Sequence, residues 1–199
     1  MELSEKLKSL VDEIEKLPSI GPKSAERIAL YLLSETDAEV NQFIDTLTEA
    51  RNNLHLCPIC FNITDKDICE ICSSEERDKT TICVVEEISD LLAIEKTNTY
   101  KGQYHVLHGK IDPINHKGAA NIYINELIER VKRDNIKEVI LATDPNFTGD
   151  LTADYIAKLL KPFNIRVSRI AVGLPKEAEI VFTDSVTLSA AIRERKEYK

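Results

Sequence analysis

Residues 138–160 read EVILATDPNFTGDLTADYIAKLL: a short β-favouring run, a polar turn, then apolar residues at three- and four-residue steps. The pattern predicts a strand over Glu138 to Ala142 and a helix over about 151–161. The same unit recurs on both sides. β-rich runs at Thr81 to Val85, Tyr104 to Leu107 and Arg166 to Val172 alternate with helical patterns at about 87–96, 121–134 and 184–196. Strands separated by helices need crossover connections, so this part is expected to be α/β, a mainly parallel sheet with helices on both faces.

Upstream the pattern is purely helical. Leu3, Leu7, Leu10, Val11, Ile14 and Leu17 share one face of a first helix, which Pro18 ends. Ser19, Ile20 and Gly21 make a tight turn, and Pro22 suits the first turn of a second helix with Ala25, Ile28, Ala29 and Leu32 as its buried stripe. A capping box at Thr36 and Glu39 predicts a third helix carrying Val40, Phe43, Ile44, Leu47 and Leu54 inward. The amides that open the second helix favour a phosphate, and Lys23 and Arg27 add positive charge one turn apart. That is a sequence-independent grip on DNA, with an ordinary helical joint as the alternative.

Between the two parts lie Cys57-Pro-Ile-Cys60 and Cys69-Glu-Ile-Cys72, separated by residues 61–68. Two CxxC knuckles complete a tetrahedral zinc site with no open position, which is structural and not catalytic. A redox pair and an iron–sulfur cluster are the alternatives. Asn62, Thr64, Asp65 and Asp67 predict a short hairpin between the knuckles. Cys83, inside a strand pattern, is expected to be a buried small hydrophobe, and His55 to face solvent or cap.

In parallel sheets ligands bind beyond the C-terminal strand ends. Glu86 and Glu87 follow one predicted strand, Asp144 follows another, and Asp150 is expected to open the next helix. Such carboxylates either hold Mg²⁺ for phosphoryl transfer or cap helices. No GxxxxGK[ST] stretch occurs, so a standard nucleotide P-loop is absent.

Composition narrows the classes. The 199 residues are 43% hydrophobic and 30% charged, which suits a folded chain with a real core. The longest apolar run is Ile28 to Leu33, far short of the roughly 20 residues of a membrane span. The N-terminal stretch has no continuous apolar core or small-residue cleavage site, so a cytoplasmic location is expected. A net charge of -8 repels nucleic acid at long range, so any DNA contact must be local.

Taken in order, LPSIGPKSAERIALYLL, CPIC, CEIC, TICVVEE, YHVLHGKIDPI, EVILATDPNFTGDLTADYIAKLL and VSRIAVGLP resemble the RecR family of bacterial recombination mediators over nearly the whole chain. The resemblance implies a helix-hairpin-helix module at 1–55 and a four-cysteine zinc knuckle at 56–79. A Toprim-like α/β domain at 80–172 and a C-terminal oligomerisation segment at 173–199 complete it. It implies no enzyme activity but a role in recombinational DNA repair: a ring-like tetrameric clamp on single- or double-stranded DNA, acting with RecO and RecF to load RecA on single strands coated by SSB. A nucleoid-associated location in the bacterial cytoplasm follows.

Carried over by position, Gly21, Lys23 and Arg27 match the DNA-facing hairpin, and Cys57, Cys60, Cys69 and Cys72 match the ligands of one structural zinc. Glu86 matches the first Toprim acid, but the second motif, Asp-x-Asp, here reads Asp144-Pro145-Asn146. An amide cannot supply the charge that holds Mg²⁺. This favours a scaffold over the alternative, a small Mg²⁺-dependent Toprim nuclease using Glu86 and Asp144. Glu86, Asp144 and Asp150 are then expected to form an acidic rim that receives RecO. Three stretches depart from the family: Ser19 stands at a usual glycine, Thr148 and Asp150 replace a usual Glu-Gly-Glu, and residues 176–179 replace a glycine pair.

Overall fold

The computed structural model describes residues 4–116, 118–195 and 197, and it divides into two compact units, Met1–Leu54 and His55–Lys199. In the first, α1 (Glu5–Glu15) packs on α2 (Pro22–Ser34). Val11 and Ile14 meet Ala25 and Ala29, with Leu7, Leu10, Ile28 and Leu32 half-buried around them. Alanine at the contact presents only a methyl group, so the two helices can approach closely and the predicted stripes interlock. Leu17 lies past the helix end and is exposed, not buried, and Leu3 lies outside the described residues.

The turn between α1 and α2 places Ser19 at φ 64, the left-handed region that suits glycine. Glu177, in the other stretch where glycines are usual, stands at φ 71. In both places a Cβ strains the left-handed backbone. Ser19→Gly should therefore raise the stability of the helical unit by about 0.5–1 kcal/mol, the relief of strain exceeding glycine's extra unfolded-state entropy. Urea unfolding followed by helical circular dichroism reads this, and an unchanged or lower midpoint would refute it.

α3 (Asp37–Asn53) begins at the predicted capping box, with Glu39 N–H donating to Thr36 Oγ1 at 3.3 Å and Thr36 N–H to Glu39 Oε2 at 3.0 Å. Its apolar stripe is not turned into a core. Among the described residues of α3 none is buried, and Phe43, Ile44 and Leu47 are 58%, 51% and 60% exposed, with Leu54 exposed just beyond. Periodicity puts these residues on one face but does not say that the same chain covers it.

The second unit opens with a two-stranded hairpin, β1 (His55–Leu56) antiparallel to β2 (Ile63–Thr64), and a short helix α4 (Glu70–Ser73). The hairpin encloses the first CxxC and does not lie between the knuckles as expected. Phe61, at φ 61, reverses the chain so that Cys57 N–H reaches Asn62 O at 2.7 Å. Then follow β3 (Asp78–Val85), α5 (Ile88–Lys96), β4 (Gly102–Val106), α6 (Ile124–Arg133), β5 (Glu138–Ala142), α7 (Phe147–Leu160) and β6 (Arg166–Arg169). The four long-range strands form one parallel sheet in the order β4-β3-β5-β6. β6 stops short of the predicted Val172 because, after Ile170 N–H donates to Leu141 O, β5 has run out at Ala142.

Alternation along β3 feeds two cores. Ile82 and Val84 pack with Leu127, Val131, Ile156 and Leu160 of α6 and α7. Cys83 and Val85 face the other way, against Leu91 of α5 and Phe61 and Ile71 of the cysteine segment. The cysteine segment thus does the work of a covering helix on that face. Burial pushes the Cys83 thiol up to about 12, as suits a small hydrophobe. After β6 the chain runs through a turn of 3-10 helix at Ile180–Phe182 into α8 (Ser185–Arg193), capped by Asp184. No helix among the described residues is long and apolar enough to cross a membrane.

Candidate functional site

The structure brings the four predicted cysteines together. Their sulfurs all lie within 4.8 Å of one another, every one buried, with Cys60 and Cys69 3.4 Å apart. A zinc ion with four Zn–S bonds of about 2.3 Å spaces its sulfurs about 3.8 Å apart, so the cluster has the right size. The hydrogen bond between them pushes the Cys60 thiol up and holds Cys69 down. All four donors are thiolates, and a tetrahedron so filled leaves no position for water or substrate. His55 is exposed at the start of β1 and is not part of the cluster.

The cluster is tied to the sheet by backbone groups flanking its ligands. Val106 N–H on edge strand β4 donates to Cys60 O at 2.8 Å, and His108 Nε2 donates to Phe61 O at 2.7 Å. The Phe61 ring stacks on Tyr123, centroids 4.1 Å apart. Arg130 of α6, 3% exposed, donates to Tyr104 O at 2.6 Å, Gln103 Oε1 at 2.5 Å and Ile59 O at 3.4 Å. A buried guanidinium is tolerated here because both of its terminal nitrogens meet carbonyl oxygens.

His105 lies beneath this junction. Its Nε2 meets Tyr123 O at 2.7 Å and must donate, which leaves Nδ1 a buried lone pair with no hydrogen-bond partner among the described residues. Burial pushes this histidine down to about 4, against the opposing effect of the Tyr123 bond. Between about pH 6.5 and 4 the unfolded chain therefore binds a proton that the native state refuses, and stability falls with pH across that window. The expected loss is about 3 kcal/mol. Denaturant unfolding of zinc-loaded protein at pH 7, 5.5 and 4.5 should show it, and His105→Gln, which keeps a donor for Tyr123 O, should flatten the dependence. Equal pH dependence in both proteins would refute this.

The carboxylates gather at the C-terminal end of the sheet. Glu86, after β3, is 3% exposed: its Oε1 accepts Asp144 N–H at 3.0 Å and its Oε2 lies 3.1 Å from Lys110 Nζ. Lys110 also reaches Asp144 Oδ2 at 3.2 Å. Asp150 pairs with Arg169 at 2.5 Å, and the same guanidinium donates to Asp144 O at 3.2 Å. Two cations thus offset most of the charge of the three acids from within, and Glu86 lies below the surface of the rim. Glu87 takes the capping role instead, its N–H meeting Asp90 Oδ2 at 2.8 Å at the start of α5. Asp150 does not open α7. The helix starts earlier at Phe147, capped by Asn146 Oδ1, which accepts Gly149 N–H at 3.0 Å. Gly149 is required there, because a Cβ would stand 2.1 Å from Asp144 O.

On α2 the structure places Lys23 and Arg27 on the exposed face, one turn apart. Gly21 is the N-cap and supplies no side-chain cap. Sequence reasoning missed Lys110, Arg169 and Arg130. Lys110 was within reach of the strand-end rule already used for Glu86 and Asp144, since it follows β4; the other two sit in ordinary helical and strand patterns.

A parallel sheet with carboxylates at its C-terminal end, a four-cysteine zinc site docked on one face and a separate helical hairpin define a zinc-containing Toprim protein. Three family models match the chain in order: the RecR helix-hairpin-helix over residues 7–51, the RecR four-cysteine zinc finger domain over 54–74 and the Toprim domain over 80–171. The chain belongs to the RecR family, and this domain architecture implies a recombination mediator role.

Proposed function

We propose that the chain is a DNA-binding mediator of recombinational repair: an oligomeric clamp with no chemistry of its own that works with RecO and RecF to load RecA on SSB-coated single strands. The observation that carries the DNA part is the start of α2, where Gly21 leaves the first amides without a side-chain cap and Lys23 and Arg27 stand exposed beside them. Membership of a generally non-enzymatic family supports the clamp over the nuclease. So does Glu86, both of whose oxygens are engaged by Asp144 N–H and Lys110. Exposed Ile180, Val181, Phe182 and Val186 support self-association through residues 173–199. For RecO the accessible acids are Asp144 and Asp150, with Glu86 supporting them from below.

Lys23→Ala with Arg27→Ala should weaken DNA binding equally across sequences and flatten the salt dependence by up to about 2 units of log–log slope. Circular dichroism should not change, because both side chains are exposed. A fluorescence-anisotropy titration over a salt series measures it, and unaltered affinity and slope would return the hairpin to an ordinary helical joint.

A further inference from the structure

We propose that Lys110 is the resident cation of the Toprim carboxylates, its ammonium holding Glu86 and Asp144 together and closing the site to Mg²⁺ and Mn²⁺. Three strand ends converge on this one contact: Glu86 follows β3, Lys110 follows β4 and Asp144 follows β5. The ammonium stands 3.1 Å from Glu86 Oε2 and 3.2 Å from Asp144 Oδ2, bridging the two acids as a metal ion would. Glu86 is nearly fully buried, and a carboxylate so placed needs a countercharge within contact distance. Lys110 is the cation that supplies it.

Further contacts engage the same carboxylates. Glu86 Oε1 accepts Asp144 N–H at 3.0 Å, which orients the loop carrying Asp144. Asn146, at the position of the lost second acid, directs Nδ2 to Asp144 Oδ2 at 3.4 Å and spends its Oδ1 on capping α7. Asp150 is paired to Arg169. A divalent ion entering between Glu86 and Asp144 would have to expel the Lys110 ammonium, which then repels it from the same loop. The tether makes that exchange unfavourable, since the lysine is present at high effective concentration whereas the metal is not. Asn146 in place of a second acid and the ammonium of Lys110 act in the same direction: one withholds a ligand, the other fills the ligand-lined space.

This deepens the scaffold reading and rests on it only in taking the Toprim part to need no metal; Lys23 and Arg27, which test DNA binding, are untouched. The experiment is a Mn²⁺ titration of zinc-loaded, full-length, isotope-labelled protein followed by paramagnetic broadening of amide resonances. Wild type should show no selective, saturable broadening at Glu86, Asp144 and Gly149. Lys110→Ala should acquire it, with an apparent affinity roughly tenfold tighter or more, as expected when a like charge in contact is removed. Lys110→Arg should behave as wild type, and adding Glu86→Gln to Lys110→Ala should abolish the gain. Lys110→Gln repeats the test with a side chain of similar length, and retained zinc with native amide dispersion shows that each variant is folded. Saturable broadening of these amides in wild type overturns the proposal whatever the variants do, as does its absence in folded Lys110→Ala and Lys110→Gln.

Discussion

Cys69→Ser should abolish binding of the one zinc ion per chain and loosen the sheet as well as the knuckle. Isolated zinc-finger peptides owe about 10–16 kcal/mol to their metal, and a segment already packed on a larger body should owe less, several kcal/mol. The loss spreads because Cys60 O accepts the Val106 N–H of edge strand β4 and because Phe61 and Ile71 cover the face built on Cys83, Val85 and Tyr104. Elemental analysis and hydrogen exchange measure both parts. Zinc should be absent, exchange at Val106 and across residues 55–74 should accelerate, and amides of α1 and α2 should keep their protection. Zinc retained in the variant, or iron in wild type purified without chelator, would overturn the assignment. Unchanged protection at Val106 would show that the metal supports the knuckle alone.

Arg130→Met should cost about 3 kcal/mol or more of the stability of the larger unit. The methionine fills much of the same volume but leaves Tyr104 O, Gln103 Oε1 and Ile59 O without the donor that the almost fully buried guanidinium supplies. Unpaired buried acceptors cost about 1–3 kcal/mol each, and relaxation or water entry reduces the sum. Arg130→Lys should recover only part, since one ammonium cannot reach all the oxygens that a planar guanidinium spans. Denaturant unfolding followed through the sheet reads this, with zinc content measured alongside. A loss under about 1 kcal/mol would mean that water replaces the guanidinium at little cost.

The two effects share a cause that the amino-acid pattern does not display. Ile59 and Arg130 are 71 positions apart, and their contact makes the zinc knuckle a cover for the sheet. Local rules read the two CxxC knuckles, the Thr36–Glu39 capping box and the strand over Thr81 to Val85 correctly, because each depends on residues within a few positions of one another. The same rules turned Phe43, Ile44 and Leu47 inward, where the structure leaves them exposed. They also put Asp150 at the start of a helix that Asn146 in fact caps, although an Asn three residues before a Gly in a strand-to-helix turn is itself a capping signal.

By itself, then, the sequence determined the helical hairpin with its small-residue contact, the four-thiolate metal site and the run of strands and helices that makes a parallel sheet. These follow from fixed periodicities and ligand spacings, which helix, strand and zinc geometry impose wherever the residues occur. Only the tertiary structure decided that the Toprim carboxylates carry their own countercharge. Glu86, Lys110 and Asp144 meet because three parallel strands end side by side, and the charge of that site depends on an ammonium 34 residues along the chain from Asp144 and 24 from Glu86. Coulomb energy falls with distance in space and takes no account of distance along the chain.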